Sequence, residues 1–208
     1  AYGSWISIGA PALMDLSRPL PLDDDAALIS LAGSGNAGAA VLLGARSMRD
    51  NPVVALEWFD QAIVNGSVYA MERTSDLLST LGDPALADFQ SNPVWQQALD
   101  EINAQTKTPL ERALAWSIAA VTVGGYGVLD AALENRISGF TDRLDTVQVQ
   151  RACETAQEYV LDTAMARRAQ GGAVFSTERP LFAAGIAEPE KALPCDIPVL
   201  PLVEMSDC

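Results

Sequence analysis

The chain contains no histidine. That absence removes the commonest general base at neutral pH, the Ser-His and Cys-His nucleophile pairs, and the imidazole ligands of most zinc and iron sites. Lysine is nearly as scarce. Lys107 and Lys191 are the only two, each near a proline in an expected loop, which gives a Ser-Lys dyad or a Schiff base poor support. Positive charge is short overall: 13 basic residues face 27 acidic ones, for a formal net charge of −14. Such a surface repels phosphate backbones and anionic bilayers, and neither Arg46 with Arg49 nor Arg167 with Arg168 makes the basic stripe that nucleic-acid binding needs. No apolar run approaches the roughly 18 to 20 residues that span a bilayer, and no charged region followed by an apolar core opens the chain, so a soluble protein without a membrane span is expected.

Cysteine is sparse too. Cys153, Cys195 and Cys208 are the only three, none in CxxC spacing. Two readings stand. All three are reduced in a cytoplasmic protein, or Cys153 and Cys195 pair and clamp the tail to the last long helix, a closed loop worth roughly 3 to 4 kcal/mol in the chain-entropy model. The second reading goes with a periplasmic or secreted location. Arginine in excess of lysine and abundant alanine are compatible with a bacterial, GC-rich source.

What is present is a core. Hydrophobic residues make up 49% of the 208 and charged residues only 19%, the composition of one folded domain. Residues 1–22 read as an extended arm, in which Trp5, Ile6, Ile8 and Leu13 are broken by Pro11, Pro19 and Pro21. Residues 23–170 read as a helical array. Residues 171–208 carry Pro180, Pro189, Pro194, Pro198 and Pro201, too many for a long helix, with enough apolar residues to lie against the body.

The stretch from Ala39 to Ala70 sets the architecture. Small and apolar residues recur at helical spacing until Asn51-Pro52 stops them; Pro52 then opens a second helix with Ala55, Trp58, Phe59, Ala62 and Ile63 on one face. Asn65-Gly66 ends that helix and Ser67 caps the next. Gly35 is followed four residues later by Ala39, and Gly66 four residues later by Ala70. Downstream, Ala113, Trp116, Ala120 and Gly124 repeat the spacing of Ala55, Trp58, Ala62 and Gly66, as a repeat would.

The pattern Ala39-x-x-x-Leu43-Gly44, then Ala55-x-x-Trp58-Phe59-x-x-Ala62-x-x-x-Gly66-x-x-x-Ala70, resembles the Sel-one-like repeat, a tetratricopeptide-like family of helical hairpins. Ser47 stands where the family has tyrosine, the loop between helices shrinks to Met48-Arg49-Asp50-Asn51, and Gln61 replaces a lysine. In the second copy Ser117 and Ala119 replace Phe59 and Gln61. The resemblance implies an all-α fold, a right-handed α/α solenoid of antiparallel helix pairs, and a non-catalytic role in binding other proteins. It implies a concave face of first-helix residues, here Ala40, Leu43, Ser47, Tyr69, Arg73 and Asp76, that takes a peptide or protein. With so acidic a chain, that partner is expected to be neutral or basic.

The remaining elements follow from caps and stops. Asp23-Asp24-Asp25 opens a helix that runs to Gly33; three aspartates at a helix start read as capping rather than as a calcium loop, which would alternate its oxygens and add a later glutamate. Ser30 to Gly35 lacks the lysine and preceding strand of a phosphate loop. A short helix is expected over 85–90 and another from Pro93 through Ile102, a variant or inserted hairpin between the two repeat copies. Thr108 and Glu111 form a capping box for a helix to Val123, apolar on most sides and therefore central. A helix over Val128–Ile137 should stop at Ser138-Gly139, and the longest should run over Leu144–Ala169.

Carboxylate pairs are the remaining catalytic option. Glu72 with Asp76 and Glu154 with Glu158 stand four apart on one helix face, the arrangement from which a glycan-acting enzyme could be built. A solvated face in an acidic protein is the better reading of both pairs, and Trp58, Trp95 and Trp116 sit in apolar stripes that suit core packing better than sugar stacking. No cofactor or metal set is expected. A third alternative is a structural subunit whose arm or tail completes an oligomer.

Overall fold

The computed structural model describes residues 21, 23–83, 92–104, 107–124, 131–171 and 193–195. Among these there are eight α-helices and no strand: α1 Asp25–Gly33, α2 Ala37–Ser47, α3 Pro52–Val64, α4 Val68–Leu81, α5 Pro93–Asn103, α6 Pro109–Gly124, α7 Ala131–Thr141 and α8 Thr146–Ala169. The expected arm, the helix over 85–90, Cys208 and most of the tail lie outside the described residues. None of the described helices is long and apolar enough to cross a membrane.

The helix starts come from short polar side chains satisfying the first free N–H groups. Asp24, Asn36, Asn51, Ser67 and Asn92 each accept from a backbone amide two or three residues on. Asp24 thus spends its carboxylate as a cap, and Asp25 pairs with Arg46 of α2. Thr108 and Glu111 exchange the two bonds of a capping box at the start of α6. Asp145 and Gln148 do so for α8.

Two of the helix ends share one construction. Gly35 and Gly66 have φ of +92° and +100°. At each, the glycine N–H returns to a carbonyl three residues back (Ala32, Ile63) and the next N–H to one five residues back (Leu31, Ala62), the double closure of a Schellman turn. The residue after each glycine, Asn36 or Ser67, then caps the following helix. Gly124 is the last residue of α6, and the residues that follow it lie outside the described set.

Packing joins α2 to α3, α4 to α6 and α6 to α8, with α1 against α2, α4 against α3 and α7 against α6. The α2–α3 approach depends on Gly44, where an added Cβ would lie 2.5 Å from the Phe59 ring. Phe59 itself is fully buried. Helix α6 is buried at every position from Ala113 to Val121, the central placement its apolar circumference predicts. Its two interior serine contacts are satisfied: the Ser75 hydroxyl of α4 donates to the Ala113 carbonyl and lies 2.8 Å from that of Ser117. Gly82, just past α4, sits against Pro109 at the start of α6. Helix α5 is anchored by Trp95, whose indole N–H donates to the Arg49 carbonyl at 2.8 Å.

One boundary differs from expectation. Helix α7, described from Ala131, runs through Ser138-Gly139 to Thr141. A glycine inside a helix costs only about 1 kcal/mol. Here Asp142 N–H continues the ladder to the Ser138 carbonyl and the Thr141 hydroxyl donates to the same oxygen.

Candidate partner-binding face

Tyr69, Arg73 and Asp76 fall at successive turns of α4 and share one face of it. All three are half-buried, as are Ser47 at the end of α2 and Met48, which follows it. The chain links these elements through Arg73. One of its nitrogens, Nη1, donates to Asp76 Oδ2 at 2.9 Å, and Nη2 lies 3.3 Å from Met48 Sδ. Asp76 Oδ1 takes a second guanidinium, Arg136 Nη2 of α7, also at 2.9 Å. Arg136 Nη1 is buried and has no hydrogen-bond partner among the described residues. Burial raises the Asp76 pKa above its ordinary value, while Arg136 and then Arg73 pull it back.

The other two expected face residues do not belong to a surface. Ala40 is fully buried and Leu43 is 6% exposed, because α2 turns them into the interior that Gly44 lets α3 approach. Of the six expected residues, Ser47, Tyr69, Arg73 and Asp76 keep part of their surface exposed, with Met48 against Arg73 and Arg136 against Asp76. No sequence signal singled out Arg136, which comes from a helix far along the chain.

The carboxylate pairs are placed differently from one another. Asp76 is engaged by two arginines and Glu72 is half-buried. Glu154 and Glu158 are exposed on α8, the first accepting from Gln150 and the second paired with Lys107 at 2.7 Å. Trp95 and Trp116 are core residues. Trp116 stacks on Tyr159 of α8 with ring centroids 4.2 Å apart.

A second polar cluster was not anticipated. Glu57 and Asp60 lie one turn apart on α3, within electrostatic reach of Arg112 on α6. Crowding by protein pushes the Asp60 carboxyl up to about 6, Arg112 opposes the shift and Glu57 adds to it. Arg112 Nε donates to the Tyr159 hydroxyl at 3.3 Å, and its buried Nη1 has no hydrogen-bond partner among the described residues. Nearby, the buried Glu111 meets Arg151 of α8 at 2.6 Å. The signal available in sequence was the i, i+3 acid pair flanking Trp58, which amphipathic reading alone assigns to solvent.

Helix α8 is fastened at both ends. Cys153 is joined to Cys195 by a disulfide, with Cα atoms 6.0 Å apart, and Leu193 and Cys195 rest against the core. Near the other end Arg167, 6% exposed, donates to the Val64 carbonyl at 3.2 Å beside the Gly66 turn. Burial lowers the Arg167 pKa. Among the described residues no group of three or more His, Cys, Asp or Glu side chains is placed to hold a metal ion. No protein family, curated protein or solved structure matches the chain.

Proposed function

We infer that the chain is a non-catalytic binding module, an α/α array of the Sel-one-like kind that takes a peptide or protein across the face of α4. The observation that carries this reading is the order of side chains on that face. Met48 at the end of α2, Arg73 and Asp76 of α4, and Arg136 of α7 touch in sequence. Side chains of three helices from separate parts of the chain thus converge on one face, while the helices themselves pack elsewhere, α2 on α3 and both α4 and α7 on α6. The contacts of Gly82 with Pro109 and of Ser75 with Ala113 support pairing α4 and α6 antiparallel, with α5 as an insertion. The matching turns at Gly35 and Gly66 support a common hairpin unit.

The face suits binding better than chemistry. Asp76 is held between two guanidiniums, while Tyr69 and the arginines keep part of their surface in water. Tyr and Arg are the side chains that most often carry interface energy. The test is capture of a partner from source lysate by the purified protein, repeated with Tyr69→Ala and Arg73→Ala. The expected result is a specific partner lost in both variants while helical content by circular dichroism is kept. Retention of the same partner by both variants removes this face from the account.

A further inference from the structure

The arginines on the α4 face are short of acceptors. Two guanidiniums share the single carboxylate of Asp76. What is left over is poorly used: Arg73 Nη2 is turned to a thioether sulfur, a weak acceptor, and Arg136 Nη1 has no partner among the described residues. A guanidinium nitrogen left without an acceptor in a protein interior costs more than a neutral donor would. The Arg73–Asp76–Arg136 triad therefore carries one positive charge more than it neutralises, on a chain whose net charge is −14.

The triad reaches the surface, with Arg136 Nη1 at its buried end. The side chains of Arg73, Asp76 and Arg136 keep 30%, 25% and 23% of their surface exposed. Met48 is a flexible, unbranched side chain at the α2 terminus, half-buried against the core and adaptable in rotamer.

We propose that this triad is a carboxylate-binding site, in which an aspartate, glutamate or C-terminal carboxylate of the partner displaces the Met48 thioether and is held between Arg73 and Arg136. The proposal rests on the reading of this face as a binding surface and names what the partner must bring to it. It reverses the expectation, drawn from net charge, of a neutral or basic partner at this point. Net charge governs approach from a distance, whereas the groups in contact decide which side chain is accepted. The planar forks of two arginines suit the two oxygens of a carboxylate, and charge-assisted bonds of this kind are about twice as strong as neutral ones.

The experiment uses the full chain labelled with 15N-arginine and two probes, acetyl-Ala-Ala-Asp with a free C-terminus and acetyl-Ala-Ala-Asn amide. The Arg73 and Arg136 Nε–Hε resonances should shift saturably with the acidic peptide, at an affinity at least about tenfold above that of the amide. Arg136→Gln should weaken binding by about tenfold. Arg73→Lys, which keeps the charge and loses the fork, should weaken it as well and serves if the first variant does not fold. Met48→Ala, which removes the thioether that occupies Arg73 Nη2, should tighten binding, an outcome that a purely structural role for these residues does not produce. Equal affinity for the two peptides, or undiminished binding by Arg136→Gln and Arg73→Lys, overturns the proposal. A lysate partner lost in Tyr69→Ala with no preference for the acidic peptide refutes the carboxylate site and leaves the binding face standing. Preference for the acidic peptide without such a partner does the opposite.

Discussion

Gly35 and Gly66 make the same turn in different company. Both adopt positive φ, both close the preceding helix with the same pair of backbone bonds, and both hand over to a side-chain cap. Around Gly35 the turn is exposed, and an added Cβ would meet only Asn65 Oδ1 at 3.6 Å. Gly66 is buried, and an added Cβ would collide with the Arg167 guanidinium. Local sequence decides that each turn forms. Its cost of alteration is decided by α8, which returns from the far end of the chain to sit on one turn and leaves the other open.

The largest expected effect is at Gly66. Gly66→Ala combines a left-handed backbone with displacement of the buried Arg167 guanidinium from the Val64 carbonyl and should cost roughly 3 kcal/mol, whereas Gly35→Ala meets only the backbone term and should cost about 1 kcal/mol. Denaturant melts of the two variants check this, and equal losses would dissolve the comparison. Arg167→Ala sharpens it. In that background Gly66→Ala should cost only about 1 kcal/mol, the open-turn value, giving a coupling of about 2 kcal/mol in a double-mutant cycle.

The caps should follow the same ordering at smaller scale. Ser67 is 3% exposed, so Ser67→Ala leaves the Ala70 N–H without a replacement and should cost about 2 kcal/mol. Asn36 is exposed, water can take over its bond to Ala39, and Asn36→Ala should cost only about 0.5 to 1 kcal/mol. Thermal melts that reverse this order would separate burial from cap strength.

The smallest effect concerns the outer surface of α3, away from either turn. Asp60 is raised from 3.8 to about 6 on folding, so the folded state holds the proton more tightly and stability falls as pH rises between those values. Asp60 keeps more than a third of its surface in water, so solvent screening should hold the loss below about 1 kcal/mol. Asp60→Asn should flatten this part of the stability–pH curve and slightly stabilise the protein at neutral pH. An unchanged slope would show that the carboxylate is solvated.

Much of the helical framework was legible because caps act over three residues. Asp24, Asn36, Pro52, Ser67, Thr108 with Glu111, and the stop at Gly66 each announce a boundary within their own neighbourhood, and the structure uses them so. Helix α7 was misplaced by several residues because glycine was read as a stop where the ladder simply continues. The face on α4 was half legible. Helical spacing groups Tyr69, Arg73 and Asp76, yet the same spacing, applied to α2, exposes Ala40 and Leu43, which packing buries. Arg136 and the Asp60–Arg112 cluster depend on helices meeting through space, for which a periodic pattern contains no signal.

The most direct measurement is site-specific photo-crosslinking in source lysate, with benzoylphenylalanine placed at Ser47 on the α4 face or at Glu154 on the exposed side of α8. The account predicts a discrete crosslinked partner from position 47, competed by excess unmodified protein, and none from position 154. A partner captured at 154 and absent at 47 would contradict it.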